Sequence, residues 1–178
     1  MTGWRPGDRR ADTASMLRVD QAGEYGATRI YAGQLAVLRA NCPEAKLISR
    51  MAAQEQRHLQ RFDRLMSDRR VRPTALQPLW NVAGFALGAV TALMSEKAAL
   101  ACTDAVETEI DRHYRQQLDE LGEDDPELAA DIAEFRADEL EHRETARQAG
   151  AAQALGYPLL TAAIRAGCRV AIGLSKRI

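Results

Sequence analysis

Two short segments, Glu55-Gln56-Arg57-His58 and Glu139-Leu140-Glu141-His142, carry the same Glu-x-x-His spacing and lie 84 residues apart. In an α-helix, positions i and i+3 sit side by side on one face. Each segment therefore offers one carboxylate and one imidazole pointing the same way, which is a pair of metal ligands. Both pairs interrupt apolar stripes of helical period. Ile48, Met51, Glu55, His58, Phe62 and Leu65 form one stripe, and Leu128, Ile132, Phe135, Glu139, His142 and Ala146 the other. Such stripes enter a core, where an ionised carboxylate is costly unless it is paired or bound to a metal.

Two further stripes carry a single carboxylate each. Glu24 lies on the line Leu17, Asp20, Glu24, Ala27, Tyr31, Leu38, and Glu107 on the line Leu100, Thr103, Glu107, Ile110, Tyr114, Leu121. One Glu from each of two helices plus Glu-x-x-His from each of two others is the ligand set of ferritin-like dinuclear sites. Depth along the helices agrees. Glu107 and Glu139 both lie about 20 Å from the turn at Gly122 to Asp125, and Glu24, Glu55 and His58 are level about the turn at Asn41 to Pro43 within about one helical turn. Four carboxylates balance two divalent cations, and oxygen donors with one nitrogen per metal suit iron or manganese. So few protein ligands leave coordination positions for O2.

The elements that must hold these six residues are helices. The chain has 178 residues, enough for one domain with a substantial core. Aromatic residues are only 5%, Ala and Leu abound, and nothing shows the period-two alternation of a strand. Cys42, Cys102 and Cys168 form no CxxC pair or disulfide framework, which points to a reducing compartment and structural thiols. Residues 104–144 hold 16 of the 25 acidic residues, whereas residues 145–178 hold five basic residues and no acid. This asymmetry is no nucleic-acid signature; together with the apolar character of the tail it suggests a membrane-facing end. No secretory h-region opens the chain, so the cytoplasmic face of the cell membrane is the expected location.

Along the chain, residues 1–12 read as a mobile arm. A first helix runs from Thr13 to Ala40 and a second from Pro43 to Ser67, with the proline suited to a first helical turn. Pro73 and Pro78 break residues 69–79, a long crossover. Leu79 to Met94 then has no formal charge. It is too short to cross a bilayer and reads either as a core helix or as an apolar helix lying at a membrane surface or lining an apolar channel into the site. A helix carrying Glu107 to Leu121 follows, then one from Asp125-Pro126 to Gly150. Leu155 to Ile178 mixes apolar residues with Arg165, Arg169, Lys176 and Arg177, suiting anionic lipid or a fifth helix that caps the bundle. The reading is an all-α, ferritin-like four-helix bundle over residues 13–150 with added apolar, membrane-associating helices, one domain over 1–178.

The run Leu17-Arg18-Val19-Asp20-Gln21-Ala22-Gly23-Glu24-Tyr25-Gly26-Ala27, with Arg29-Ile30-Tyr31-Ala32-Gly33-Gln34, resembles the opening of the demethoxyubiquinone hydroxylases, the clock-type membrane di-iron monooxygenases. So do Arg72-Pro73-Thr74, Pro78-Leu79-Trp80, Ala101-Cys102-Thr103, Ala105-Val106-Glu107-Thr108, His113-Tyr114 and the segment from Gly167-Cys168 to Leu174-Ser175-Lys176. The likeness covers nearly the whole chain beyond the first dozen residues, with all six ligand positions filled. It implies hydroxylation of a polyprenylated methoxy-methyl-benzoquinol in ubiquinone synthesis, with O2 supplying one oxygen atom. It further implies that Glu24 and His58 bind one iron, Glu107 and His142 a second, and that Glu55 and Glu139 bridge them. An electron-rich quinol ring is an easy target for O2 activated at two reduced irons.

Tyr114, seven residues after Glu107, suits a hydrogen-bond donor behind the site or an electron relay. His113, one step around the helix, suits contact with solvent, substrate or reductant. Gly23-Glu24-Tyr25-Gly26 sits inside a helix with no strand before it, so it is no dinucleotide-binding turn. The resemblance implies NADH as reductant without a Rossmann domain. Expected partners are the quinol, a lipid surface, other ubiquinone-synthesis proteins and further copies of the chain. Rival readings are a ferritin-like iron store, which has no need of the apolar 79–94 segment, and a manganese catalase, which the ligand types allow. A rubrerythrin-type peroxidase lacks its CxxC module here, and a purely structural helical module would leave stability indifferent to metal.

Overall fold

In a computed structural model, which describes residues 11–177, the chain forms six α-helices and one short 3-10 turn. Helix α1 (Thr13–Val37) starts where the Asp12 carboxylate accepts the Ser15 N–H at 3.1 Å, an N-cap that satisfies one of the free amides of the first turn. The expected arm over 1–12 lies outside the described residues up to residue 10. Ala11 and Asp12 are tied down, since the Ala11 N–H also donates to Asp124 Oδ2 at 3.0 Å. α1 ends three residues earlier than expected, because Leu38 turns to extended backbone.

Helix α2 (Pro43–Asp68) begins with proline in its first turn, and Cys42 Sγ accepts the Ala45 N–H. Residues 69–76 form the break expected from Pro73, and α3 (Gln77–Met94) takes up the apolar segment. Ser95 separates α3 from α4 (Glu96–Leu121): its backbone is extended and its hydroxyl caps α4 by accepting the Ala98 N–H. Gly122, with φ +51° and ψ −118°, closes α4 in a positive-φ conformation open to a residue without a Cβ. Asp125 then caps α5 (Pro126–Gln148). A 3-10 turn (Ala151–Gln153) precedes the basic C-terminal segment, which forms α6 (Tyr157–Ser175).

Helices α1, α2, α4 and α5 surround a common interior as neighbouring antiparallel pairs. One apolar cluster (Leu17, Phe62, Leu65, Leu121, Leu128, Ile132) fills one end. Another (Tyr31, Ile48, Met51, Ala92, Ala99) fills the other. Each large side chain so buried contributes about 1.5–3 kcal/mol, and the two clusters clamp the polar middle of the bundle from both ends.

Helix α3 lies along α1 on the outside of the bundle, closer than ordinary side chains allow. A Cβ at Gly88 would collide with the Ile30 carbonyl, and one at Gly33 with the Phe85 carbonyl; at Gly84 it would sit 3.0 Å from Gly26 O. Glycine at these positions lets two helix backbones touch, the device of small-residue helix contacts. Helix α6 packs on α4. There the guanidinium groups of Arg165 and Arg169 reach the buried Glu109 at 2.7 and 2.8 Å. These two arginines are committed to an internal carboxylate, which a buried charge requires. The outer faces of both helices stay bare: Val82 and Leu93 on α3 are 67% and 72% exposed, and Leu159 on α6 is 78% exposed. Among the described residues no helix is long and apolar enough to cross a membrane.

Candidate metal centre

The six carboxylate and imidazole residues singled out by their spacing all project into the middle of the bundle, and each is at most 2% exposed. They form two overlapping groups. Glu24, Glu55, His58 and Glu139 make one, and Glu55, Glu107, Glu139 and His142 the other; within each group one donor atom per residue lies within 4.8 Å of all the rest. Glu55 and Glu139 are common to both groups.

Both imidazoles are oriented by their outer nitrogens. His58 Nε2 lies 3.0 Å from Asp138 Oδ2, and His142 Nε2 lies 3.0 Å from Gln54 Oε1. With Nε2–H donating outward, Nδ1 keeps its lone pair for the interior. His58 Nδ1 faces Glu24 Oε2 at 3.6 Å and Glu139 Oε1 at 3.3 Å. His142 Nδ1 faces Glu55 Oε1 at 3.1 Å and Glu139 Oε2 at 3.3 Å. Both Nδ1 atoms, one oxygen each of Glu24 and Glu107, and both oxygens of Glu55 and Glu139 lack a hydrogen-bond partner. Native interiors seldom leave such groups unpaired. Eight orphaned donor atoms aimed at one another are what a pair of cations would satisfy, and the donor set fits iron.

The remaining oxygens are held by tyrosines. Tyr31 OH on α1 donates to Glu107 Oε1 on α4 at 2.7 Å, and Tyr114 OH on α4 donates to Glu24 Oε1 on α1. The exchange is reciprocal. Tyr31 stands seven residues after Glu24, as Tyr114 does after Glu107, so each helix gives a carboxylate and receives a phenol. Phe135 stacks on His58 with ring centroids 4.1 Å apart.

Crowding four carboxylates in a dry space distorts their acidity. Burial, then the charges of Glu139, Glu24 and Glu107, push Glu55 well above the ordinary carboxylate range; burial and Glu139 do the same to Glu107. Glu139 is raised by burial, though His58 pulls it back. Burial opposes ionisation of Glu24 too, yet the facing His58 imidazole, the Glu55 carboxyl and the Tyr114 hydroxyl together hold it below its ordinary value. For His58 burial disfavours the charge, but Glu139 and Glu24 outweigh it and raise the imidazole to about 10. His142 is lowered, chiefly by burial.

Residues 11–175 match the protein family described as Ubiquinone biosynthesis protein COQ7. The chain belongs to the COQ7 family. It is 56% identical to the 3-demethoxyubiquinol 3-hydroxylase of Rhodospirillum rubrum over 91% of this chain and 76% of that protein. A human relative, named NADPH-dependent 3-demethoxyubiquinone 3-hydroxylase, mitochondrial, is 51% identical over 95% of this chain and 79% of its own length. The 5-demethoxyubiquinone hydroxylase, mitochondrial, of Saccharomyces cerevisiae is 44% identical over 92% and 77%.

In this COQ7-family chain an apolar groove of about 540 Å³ runs beside the centre. Trp80, Gly84 and Leu87 of α3 and Leu160, Ile164 and Cys168 of α6 form its walls. Its floor includes Gly23 and Val106, the immediate neighbours of Glu24 and Glu107. Trp80 Nε1 donates to Ser175 Oγ at 3.0 Å, which joins the two walls at one end.

His113 does not line this groove; it is buried, with Nε2 3.3 Å from Asp20 Oδ1. The nearby carboxyl of Asp20 is raised by burial, against the pull of His113. Spacing drew attention to Tyr114 and passed over Tyr31, although the same seven-residue offset was present. Gln54 and Asp138 were also overlooked: each immediately precedes a Glu of the centre, and in a one-dimensional reading such a position looks solvated.

Proposed function

We propose that this chain is a 3-demethoxyubiquinol 3-hydroxylase of ubiquinone biosynthesis, a di-iron monooxygenase on a ferritin-like bundle that works at a membrane surface. The two buried ligand groups with Glu55 and Glu139 in common carry this reading. Glu24 with His58 would hold one iron, Glu107 with His142 the other, and Glu55 and Glu139 would serve both. Bound there, two iron ions supply the redox capacity to activate O2 for insertion of one oxygen atom into the ring.

The protein's own residues set the conditions. Four carboxylates cancel the charge of two divalent ions, so the filled centre is stable where water is scarce. Tyr31 and Tyr114 fix the carboxylates of opposing helices, which keeps the donor atoms aimed without a large reorganisation. The groove between α3 and α6 suits a quinol ring at the floor and an isoprenoid tail along the walls, and its apolar lining excludes competing water. The bare faces of α3 and α6 suit partial burial in lipid, which fits a peripheral protein on the cytoplasmic face of the cell membrane. Buried Tyr114, which holds Glu24, and His113, next to it on α4, are the candidates for relaying electrons or protons to the centre. A reduced nicotinamide is the proposed reductant: the family resemblance implies NADH, and NADPH is named for the mouse and human relatives.

Anaerobic loading with Fe(II), followed by a demethoxyubiquinol analogue, NADH or NADPH and isotopically labelled O2, tests the proposal by mass spectrometry. One labelled oxygen per product ring is expected. Two bound irons per chain with no labelled product under either reductant would overturn the hydroxylase assignment.

A further inference from the structure

The two halves of the centre are related by an approximate twofold, and nearly every element of one half has its counterpart in the other. Glu24 answers Glu107, Tyr31 answers Tyr114, and the segment Gln54-Glu55-x-x-His58 answers Asp138-Glu139-x-x-His142. The residue before each shared Glu crosses to the opposite helix and takes the outer N–H of the opposite imidazole, at 3.0 Å in both cases. The correspondence fails at that position. His58 donates to the carboxylate of Asp138, whereas His142 donates to the neutral amide of Gln54.

A carboxylate behind a ligating imidazole raises its basicity and adds a negative charge to that side of the centre; an amide orients the ring and adds none. The Asp138 side chain is 30% exposed, so it keeps access to water while its acceptor oxygen reaches His58, which is 2% exposed. Resting on the two-metal reading above, we infer that Asp138 and Gln54 make the two metal positions unequal. The Glu24–His58 position is the tighter and the more resistant to reduction, and the Glu107–His142 position is the weaker and the first to accept an electron. Asp138 and Gln54 are positioning residues that act through the imidazoles. Glu55 and Glu139 belong to both groups, so they give each position the same carboxylate count.

Cobalt(II) is the probe of choice, since it takes the same donors without O2 turnover. Titration of the full chain, followed by visible absorption and calorimetry, should show two ions entering in separate phases, differing in affinity by about 10- to 100-fold, the usual effect of such an outer partner. Asp138→Asn should merge the phases by weakening the tight one. Gln54→Glu should merge them by strengthening the weak one, a gain that loss of folding cannot imitate. In parallel, Mössbauer spectra of the iron-57 protein reduced by one electron should place ferrous character at one position in the wild type and lose that preference in either variant.

Two ions in wild type with both variants titrating like it would overturn the inequality and leave the two-metal centre standing. Failure of wild type to bind any metal would instead remove the centre itself. Should Asp138→Asn unfold, Gln54→Glu alone decides: an unchanged weak phase refutes the inference.

Discussion

Glycine has opposite meanings on α1 and on α3, and substitution by alanine separates them. Gly23 and Gly26 line the groove floor, and an added Cβ at either would meet nothing within 4 Å. Helix propensity then acts unopposed. Each Gly→Ala change stabilises by up to about 1 kcal/mol, and the pair should raise Tm by roughly 3–8 °C at about 2–4 °C per kcal/mol for a chain of this size. Gly88→Ala on α3 should do the reverse. Its methyl meets the Ile30 carbonyl and Gln34 nitrogen of α1, backbone atoms that cannot rotate away, so α3 must lift and overpacking costs about 1–3 kcal/mol. The stabilised Gly23→Ala/Gly26→Ala protein should nevertheless be a worse enzyme. Two methyl groups beside Glu24 displace a ring by about 1 Å, which is worth on the order of 100-fold in rate. Chemical unfolding together with kcat/KM for a demethoxyubiquinol analogue at full iron content reads both quantities. Wild-type turnover in the double variant would show that the ring does not approach along this floor, and a stabilised Gly88→Ala would refute the steric account of the α1–α3 contact.

Other perturbations follow from the charges. In metal-free protein Glu55 and Glu107 hold protons that the unfolded chain releases above about 4.5. Folding therefore binds extra protons, and stability falls as pH rises; His58, raised to about 10, adds to the loss over the same range. The Tm advantage of metal-loaded over metal-free protein should widen between about pH 7 and pH 9, where His142 is neutral in both states, and a constant gap by calorimetry would contradict the protonation scheme. At metal concentrations 100-fold above Kd, chelation should remove about 2.7 kcal/mol per site, seen as a lower denaturation midpoint. Tyr31→Phe and Tyr114→Phe each strip a hydrogen bond from a buried carboxylate and should destabilise the metal-free chain by about 1–3 kcal/mol. If Tyr114 also moves electrons, turnover should fall in Tyr114→Phe and not in Tyr31→Phe at equal iron content. Glu109→Ala leaves Arg165 and Arg169 facing each other; α6 should loosen, with faster amide exchange in α6 than in α4 by mass spectrometry.

The site was legible in sequence because buried charge is rare and helical spacing is rigid. Glu55, His58, Glu139 and His142 stand out since each interrupts an apolar stripe, and Glu24 and Glu107 follow from the same rule plus hairpin depth. Interactions that depend on which helices adjoin were not legible. The glycine contacts between α1 and α3 involve backbone atoms far apart in sequence, so nothing in the apolar 79–94 run marks Gly84 and Gly88 as points of close approach. Arg165 and Arg169 read as lipid-facing or as solvated on a capping helix, because nothing in one dimension brings Glu109 to them. The end of α1 was set too late, since Leu38 to Ala40 carry no proline or glycine to mark the stop. Gln54 and Asp138 escaped notice for a different reason: their importance lies in the contrast between them, which appears only once each is seen opposite a histidine.

The joined walls of the groove bear on how the catalyst meets its substrate. Trp80 and Ser175 connect the start of α3 to the end of α6, while exposed Leu93 and Leu159 stand at the opposite ends of those helices. If the bare faces of α3 and α6 lie in lipid as proposed, a tail in such a trough need never leave it while its ring is hydroxylated. The quantity that governs rate is then the mole fraction of quinol in the bilayer, not its concentration in the surrounding volume. Diluting the quinol with inert lipid at fixed total amounts should slow turnover, and adding buffer should not.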